Sequence, residues 1–289
     1  MKPILVHVHI YYKDLWKELK NYILNIYPYS FELYITMVEE HKDILEDIYN
    51  TFSKVKVEIV ENRGYDIGPF IHIINKLNLD DYSYIIKLHT KRNLKIGASV
   101  NTYNSSGSRM RNWSLSFMKD HNFKKCLQSF ENNSKLGMIG NFHLIIKGKD
   151  NSDSEARKGV MKLLYEHNIP YKGYGFVAGT MFMCRGDILK ILQKLQLKIT
   201  DFDIPDKKHT SNLAHVIERF FGLSTISQEY DIRDVCTPKI YQYISRYLFF
   251  PIREIHKFIY RAQLDKQGYP KIRICRIPLP RFISTKIYK

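Results

Sequence analysis

The chain has few cysteines and no long hydrophobic run among its 289 residues. The four cysteines lie far apart, with no CxxC pair and no nearby histidines at the spacing of a zinc site. This distribution argues against a disulfide framework and a structural zinc ion, and it favours a reducing compartment. Because no apolar run approaches about 18 residues, we expect no membrane-spanning helix. Histidines interrupt the first apolar segment, which is untypical of a secretory signal, so we expect a cytoplasmic protein.

Several common catalytic motifs are also missing. The sequence has no P-loop, no GxSxG nucleophile motif and no GxGxxG dinucleotide-binding motif. Two aspartate pairs are weak candidates for metal binding, because Asp201 and Asp203 precede a predicted helix and Asp80-Asp81 precedes its strand. Neither pair ends a strand of the predicted nucleotide-binding half, where ligands of an α/β sheet bind.

Positive charge is abundant and unevenly distributed. The formal net charge is +16, and residues 239–289 contain twelve Lys and Arg against two acidic residues, a local net of +10. A basic tail indicates an acidic partner, which can be lipid headgroups, nucleic acid or an anionic polymer. We therefore expect an α/β domain over 1–235 and a basic, aromatic, helical tail over 236–289, with a membrane surface as its partner.

Strands and helices are predicted to alternate along the first part of the chain. Short apolar or alternating runs indicate strands at 3–10, 31–37, 55–60 and 82–88. Amphipathic spacing indicates helices at 14–24, 39–52 and 69–77. This order is typical of a mostly parallel sheet with right-handed crossovers and helices on both faces.

The rest of the chain gives fewer clear signals. Polar composition predicts loops at 93–112, 150–155 and 200–209. Apolar runs predict strands at 136–140 and 176–184, and helical spacing predicts helices at 115–131, 186–195 and 212–221. Gly222 is expected to end the last of these helices.

The segment NRGYDIG, residues 62–68, is the most informative one. Gly64 and Gly68 permit positive φ and close approach of a ligand. A helix predicted to begin at Pro69 would offer free amide hydrogens to an anion. Asp66 could hydrogen-bond a ribose or sugar hydroxyl; the alternative is a structural turn in which Asp66 only caps the helix.

Basic residues cluster at the end of the fourth predicted strand. Lys87, His89 and Lys91 share one face by period-two alternation, while Leu88 faces the core. Together they could neutralise a diphosphate, a role that many nucleotide-sugar enzymes give to a carboxylate-bound metal. The alternative is a solvated strand end on a protein that is basic throughout.

Two later segments carry weaker signals. FVAGTMF places Gly179 and Thr180 inside an apolar strand, which predicts either a bulge near a ligand or a simple core strand. On a predicted helix, His215 shares a face with Glu218 and Arg219. That trio could supply a base and bind sugar hydroxyls, or it could be a surface ion pair.

Taken in order, these segments resemble the rhamnan-synthesis F family of bacterial polysaccharide glycosyltransferases. The resemblance rests on HIYY (9–12), NRGYDIGPF (62–70), KLHTK (87–91) and FVAGTMF (176–182) with LAHVIER (213–219). It implies a GT-A-like nucleotide-diphospho-sugar fold. It also implies transfer of a sugar, often L-rhamnose from a dTDP donor, to a lipid-linked glycan of O-antigen or capsule at the inner face of the membrane.

The resemblance implies roles for individual residues as well. Asp66 would lie near the nucleoside, and His89 with its lysines would take the place where a DxD motif holds a metal, so an obligatory Mg or Mn ion is not expected. The residues expected to bind the donor are His9, Tyr11, Asn62, Arg63, Gly64, Asp66, Gly68, Lys87, His89, Lys91, Gly179, Thr180 and Arg219.

One departure from the family's pattern affects the catalytic base. The pattern has Asp-Gly-Thr before the LAHVIER segment, whereas this chain has TSN at 210–212. If that aspartate is the family's base, its role passes here to Glu218 beside His215, or to Asp203 or Asp206.

Two other functions stay open at this point. A nucleic-acid-binding protein is compatible with the charge and the many tyrosines, but no recognised motif supports it. A non-catalytic scaffold of a polysaccharide assembly complex would explain the missing Asp-Gly.

Overall fold

The computed structural model describes residues 2–91, 107–148, 155–205, 213–249, 260–264, 270–275 and 277–278. The chain divides into two compact units. The first unit comprises Met1–Lys91 and Trp113–Cys236, and the second comprises Arg92–Asn112 and Thr237–Lys289.

A seven-stranded sheet forms the centre of the first unit, with spatial order β3-β2-β1-β4-β8-β5-β9. The strands of this unit are β1 (Ile4–Ile10), β2 (Phe31–Met37), β3 (Val55–Ile59), β4 (Tyr84–His89), β5 (Leu136–Ile139), β6 (Ile145–Lys147), β7 (Gly175–Val177), β8 (Phe182–Arg185) and β9 (Asp231–Arg233). Strands β3, β2, β1 and β4 are parallel, as is the pair β5 and β9, whereas β8 runs antiparallel to both of its neighbours. The mostly parallel sheet predicted from the sequence is confirmed. Strands β6 and β7 form a separate antiparallel pair.

Helices cover both faces of this sheet. They are α1 (Trp16–Leu24), α2 (Leu45–Thr51), α3 (Ile67–Ile74), α5 (Asp120–Asn132), α6 (Glu155–Glu166), α7 (Lys190–Gln193) and α8 (Leu213–Ser227), with short 3-10 turns before several of them. Helix α4 (Gly107–Ser114) belongs mostly to the second unit. On one face, Val6 and Val8 of β1 share an apolar core with Trp16 of α1 and Phe123 of α5. On the other face, the ring of Phe70 from α3 packs against His7, Phe182 and Phe221.

The predicted strand at 176–184 is wrong, because two strands with a turn between them occupy this region. Gly179 and Thr180 have φ of +80° and +53°, a left-handed conformation that ends β7 before β8 begins. The predicted stop at Gly222 is also wrong. Helix α8 continues to Ser227, and a Cβ at position 222 would lie 2.0 Å from the carbonyl oxygen of Gly175. Close packing on β7 therefore explains this glycine.

Other sequence expectations are corrected in smaller ways. Helix α4 occupies part of the predicted loop at 93–112, and β6, α6 and β9 had no predicted counterpart. Helix α3 begins at Ile67 rather than at Pro69. The predicted loop at 150–155 lies almost wholly outside the described residues, as do residues 206–212 of the acidic loop and the TSN segment.

The second unit is not purely helical, as the tail was expected to be. Its C-terminal part begins with α9 (Lys239–Ile244) and a π-helical turn (Ser245–Phe249). Three further strands, β10 (Tyr260–Leu264), β11 (Pro270–Ile274) and β12 (Ile277–Pro278), then form an antiparallel sheet. The alternation of apolar and basic residues in KIRI has the period of a strand, which explains the difference. None of the helices in the described ranges is both long and apolar enough to cross a bilayer.

Candidate active site

A row of buried polar side chains crosses one face of the central sheet. They are at most 6% exposed and come from three adjacent strands: His7 and His9 on β1, Thr36 on β2, and Lys87 and His89 on β4. Register places His7 beside Lys87, and it places His9 between Thr36 and His89. Since a buried polar group without a partner is costly, such a row needs compensating contacts.

The carboxylate of Asp66 is the main partner of this row. The Nζ atom of Lys87 donates hydrogen bonds to Asp66 Oδ2, to Thr180 Oγ1 at 3.0 Å and to the Thr180 carbonyl at 3.3 Å. The hydroxyl of Thr180 in turn donates to Asp66 Oδ2. His89 Nδ1 lies 3.4 Å from the same oxygen. Because an ammonium group has three donors, these contacts saturate Lys87.

Asp66 does not act as a helix cap. It is the residue before α3, yet its side chain makes no capping hydrogen bond there. Lys87 is fully buried, so its strand end is not solvated either. The structure therefore contradicts a helix cap at Asp66 and a solvated position for Lys87.

The surroundings keep Asp66 ionised. Burial alone would raise the pKa of this carboxyl group, but the charge of Lys87 and the hydrogen bonds from Lys87 and Thr180 hold it far below its ordinary value. Burial lowers the pKa of Lys87, and the charge of Asp66 opposes that shift. The pair is therefore a buried ion pair with a bridging hydroxyl.

The three histidines of the row are neutral at physiological pH. Burial lowers the pKa of His9 to about 4 and that of His89 to about 3, with Asp66 opposing and Lys87 reinforcing both shifts. Burial also lowers the pKa of His7 well below its usual value. Neutral imidazoles can both donate and accept hydrogen bonds, which suits recognition of uncharged polar groups.

Thr36 links His7 and His9 through a single hydroxyl. His7 Nε2 and His9 Nδ1 each lie 3.0 Å from Thr36 Oγ1. The hydroxyl has one proton and can donate to at most one of the rings, so at least one of the two ring nitrogens carries a proton and donates to Thr36. Among the described residues, His9 Nε2 and His89 Nδ1 are buried without a hydrogen-bond partner.

Two strained segments meet at Asp66. Thr180 and Tyr65 have φ of +53° and +57°, and positive φ is rare for side chains of these types. Thr180 bonds the carboxylate of Asp66, and Tyr65 directly precedes Asp66 in the chain. Strain of this kind persists where the surrounding structure enforces it, and it clusters at functional sites.

Helix α8 closes the site on the side of the 178–181 turn. Glu218 Oε1 accepts a hydrogen bond of 2.7 Å from the backbone N–H of Gly179. Arg219 donates to the His215 carbonyl at 2.9 Å, and its guanidinium lies 5.2 Å from the ring centre of Phe176. Arg219 Nε is buried and has no partner among the described residues. Glu218 and Arg219 are mostly buried, so they do not form a surface ion pair.

The glycines of segment 62–68 are explained by packing. A Cβ on Gly64 would lie 2.6 Å from the Phe202 ring, and one on Gly68 would lie 2.3 Å from the Arg63 carbonyl. The amides of Ile67 and Gly68 both donate to the Gly64 carbonyl, so they do not offer the free N–H groups expected for an anion site.

These features lie within a region that matches a known family. The model of the family described as rhamnan synthesis protein F matches residues 1–230. The chain belongs to the rhamnan synthesis protein F family. This membership links it to the synthesis of rhamnan, a polysaccharide.

Two curated relatives of this family member come from Xanthomonas campestris pv. campestris, strains B100 and ATCC 33913. Both are called uncharacterized protein WxcX, and each is 24% identical over 221 residues. The aligned region covers 76% of this chain but 31% of each relative, so the chain spans about a third of their length.

Several residues that the sequence singled out in this family member lie at or near Asp66. Lys87, His89 and Thr180 contact it. Gly179 directly precedes Thr180, and its amide donates to Glu218. His9 lies beside His89 on the neighbouring strand. The ring centre of His215 lies 6.0 Å from that of Tyr65, the residue before Asp66.

Other predicted residues of the rhamnan synthesis protein F chain lie at the margin of the site. Lys91 interacts electrostatically with Lys87 and His89, and Asn62 is half-buried. Arg63 turns away to donate to Glu61 and to the Phe202 carbonyl. The backbone N–H of Tyr11 donates to Thr90 Oγ1 at 2.9 Å, which ties the ends of β1 and β4 together. Asp206 lies outside the described residues.

Sequence reasoning missed His7 and Thr36. Each of them is a polar residue in a strand that is otherwise largely apolar, His7 in HVH (7–9) and Thr36 in YIT (34–36). A polar residue in a buried strand is unusual, and this pattern could have indicated both. One cavity, of about 380 Å³, lies at the opposite edge of the sheet near Ser83 and Tyr230, away from these residues. Within the described ranges, three or more His, Cys, Asp or Glu side chains nowhere gather closely enough to hold a metal ion.

Proposed function

We propose that this member of the rhamnan synthesis protein F family is a glycosyltransferase. It would move a sugar, best taken as L-rhamnose or another deoxyhexose, from a dTDP or UDP donor to a lipid-linked glycan. Family membership supports a role in polysaccharide synthesis. The position of the Asp66 site supports a nucleotide ligand, because ligands of parallel sheets bind beyond the carboxyl ends of the strands. The parallel set β3-β2-β1-β4 would form the nucleotide-binding half of a GT-A-like fold.

The geometry of Asp66 is the observation that carries this proposal. Within the described part of the chain, all hydrogen bonds to this carboxylate end on Oδ2. Oδ1 is then available to accept a hydrogen bond from a ribose or sugar hydroxyl. The side chain is 17% exposed, which leaves it accessible to a ligand. Lys87 and Thr180 would fix the carboxylate before the ligand arrives, and such preorganisation lowers the cost of binding.

The diphosphate would be held by cations other than Lys87, whose three donors are already in use. Arg219 is the stronger candidate, because its buried Nε has no partner among the described residues and a guanidinium suits phosphate oxygens. Lys91, at the end of β4, would add a second charge. Stabilisation of the leaving diphosphate by these fixed charges would be the main catalytic effect.

Glu218 is the proposed base for the acceptor hydroxyl. Its Oε1 is fixed by the amide of Gly179, which orients Oε2 as the atom that would accept the proton. His215, one turn earlier on α8, would help to position the acceptor. Asp206 stays an alternative base on sequence grounds alone.

A thermal-shift screen of nucleotide sugars tests the proposal. We expect dTDP- or UDP-sugars to raise the melting temperature, with thymidine or uridine alone giving a smaller shift because they lack the diphosphate. The same shift in EDTA would support diphosphate binding by cationic side chains, whereas loss of the shift would require a metal ion. Transfer of labelled sugar to a synthetic lipid-linked acceptor would then establish the reaction. If no nucleotide sugar stabilises the protein, the transferase proposal is wrong and a scaffold role gains support.

A further inference from the structure

The second unit presents an apolar stripe along α9 and the π-helical turn that follows it. Ile240, Tyr243, Tyr247 and Leu248 are from 53% to 67% exposed. Their spacing of three, four and one residues repeats the pattern of one face of a helix. The rings of Tyr243 and Tyr247 lie 4.6 Å apart, so the stripe is continuous. We call these four residues the Ile240 stripe.

Such a stripe on a helix is normally buried against a partner. Single exposed apolar residues are common on protein surfaces, but a contiguous apolar strip on a short helix marks an interaction site. The stripe lies beyond the region that matches the family, which ends at residue 230. It therefore needs an explanation separate from the transfer reaction.

The charge around the stripe indicates what the partner is. Residues 237–253 contain Lys239, Arg246 and Arg253 and no acidic residue. The whole segment 239–289 has twelve basic residues against two acidic ones. Apolar and tyrosine side chains that alternate in the sequence with basic residues are typical of helices that lie in the interface of a membrane with anionic lipids. The aliphatic side chains of Ile240 and Leu248 cannot bind phosphate groups, but they can enter the apolar part of a bilayer. This favours lipid over nucleic acid as the partner.

We propose that the Ile240 stripe docks the protein on an anionic bilayer surface. The helix lies in the plane of the interface, with Ile240 and Leu248 below the headgroups. The hydroxyl groups of Tyr243 and Tyr247 stay at headgroup level, where tyrosine is enriched in membrane proteins. Basic residues of the tail add electrostatic attraction. This proposal does not depend on the transferase activity.

Co-sedimentation with vesicles tests this proposal on the full chain. The protein is mixed with vesicles of phosphatidylcholine alone or of phosphatidylcholine with 30 mol% phosphatidylglycerol, a proportion on the order of that in anionic membrane surfaces. We expect binding to the anionic vesicles and much weaker binding to the neutral ones. The double variant Ile240→Gln/Tyr247→Gln should lose at least about tenfold in affinity, because two apolar side chains no longer leave water.

Matched variants distinguish vesicle binding by the Ile240 stripe from nonspecific adsorption. Tyr165→Gln removes an aromatic side chain that is 85% exposed on α6, and it should leave vesicle binding unchanged. Ile240→Leu/Tyr247→Phe keeps the apolar character and should bind like the unaltered chain. Thermal melts of all variants establish that they are folded.

Three results would overturn the proposal. The first is equal binding of the glutamine double variant and the unaltered chain, which would assign attachment to the rest of the tail. The second is equal affinity for neutral and anionic vesicles. The third is no vesicle binding together with a dimer, seen by analytical ultracentrifugation, that the double variant dissociates; a second copy of the chain would then be the partner.

Discussion

Lys87 and Asp66 form the contact on which the site depends. Lys87 is fully buried and shares its three donors between Asp66 and Thr180, while Asp66 is held by Lys87 and Thr180 through one oxygen. Buried pairs add little net stability, but removal of one partner leaves an uncompensated charge. Each residue of this pair is therefore sensitive to substitution for stability as well as for binding.

Replacement of Lys87 by methionine should lower the free energy of unfolding by about 3–5 kcal/mol, because Asp66 stays buried without its cation. Urea unfolding followed by circular dichroism measures the loss. Lys56→Met is the control, since Lys56 pairs with Glu32 at an exposed position and its loss should cost at most about 1 kcal/mol. Equal losses in the two variants would contradict the buried-pair account.

Acid should destabilise the protein well before its carboxylates are protonated. The pKa values of His9 and His89 are lowered to about 4 and about 3, and that of His7 is also lowered. Below about pH 6.5 the unfolded chain binds protons at these positions and the folded chain does not. Each histidine should thus reduce the free energy of unfolding by up to about 1.4 kcal/mol per pH unit between roughly pH 6 and 4.

Urea unfolding at pH 7, 6 and 5 measures this slope. A His9→Asn variant should have a shallower slope, because one of the three buried histidines that take up a proton only on unfolding is gone. A free energy of unfolding that does not change across this range would contradict neutral, buried histidines. The lowered pKa of Asp66 acts in a separate range, below its ordinary value near about 3.8.

At the scale of elements, the sequence predicts regular structure better than it predicts breaks. Strands β1 and β2 were predicted almost to the residue, because apolar runs and alternation are local signals. The turn between β7 and β8 was missed, because it requires positive φ at Thr180, and only contacts with Asp66 and Lys87 explain that conformation. The same applies to Gly222, which was taken as a helix stop and is a packing glycine.

The candidate site follows the same division. Asp66 follows β3 and His89 ends β4, so the sequence places both at the carboxyl edge of a parallel sheet. Strands β2 and β1 lie between β3 and β4, so strand order alone does not predict that the two side chains meet. The saturation of Lys87 and the link through Thr36 depend on side-chain distances, which sequence patterns do not contain. The sequence-based hypothesis that Lys87 binds a diphosphate did not take into account that its three donors are used within the protein.

Gly222→Ala in α8 should destabilise the protein by about 1–3 kcal/mol, although alanine is the better helix former. The new methyl group would lie 2.0 Å from the Gly175 carbonyl oxygen, which is backbone and cannot move aside. Gly159→Ala in α6 is the comparison, because its nearest contact is a methyl group of Val216 at 2.6 Å, which has some freedom to shift. Thermal or urea unfolding of both variants should rank Gly222→Ala as the more damaging one. The reverse order would contradict the packing role.

At the scale of the whole molecule, the two units differ in core and in charge. Every described member of the large apolar core that includes Val6 and Phe123 lies at or before Cys236. The segment 239–289 carries a net of +10 out of +16, which leaves +6 on the rest of the chain. The first unit thus has its own core, and most of the excess charge belongs to the tail.

A fragment of residues 1–236 should therefore fold without the tail. We expect a single cooperative transition in urea and a circular dichroism spectrum of an α/β protein, because the apolar core is complete within the fragment. A fragment that is unfolded in buffer while the full chain is folded would show that the tail is required for the first unit.

The most direct test of the central claim is calorimetric titration of the nucleotide sugar selected by the thermal-shift screen into Asp66→Asn. This change keeps the shape of the side chain and removes its charge. We expect at least about a tenfold loss of affinity, since a hydrogen bond to a charged group contributes about 1.5–3 kcal/mol. Asp80→Asn, at an exposed carboxylate paired with Lys190, is the control and should bind as the unaltered chain does. Unchanged affinity in a folded Asp66→Asn protein would contradict the claim that Asp66 binds the donor.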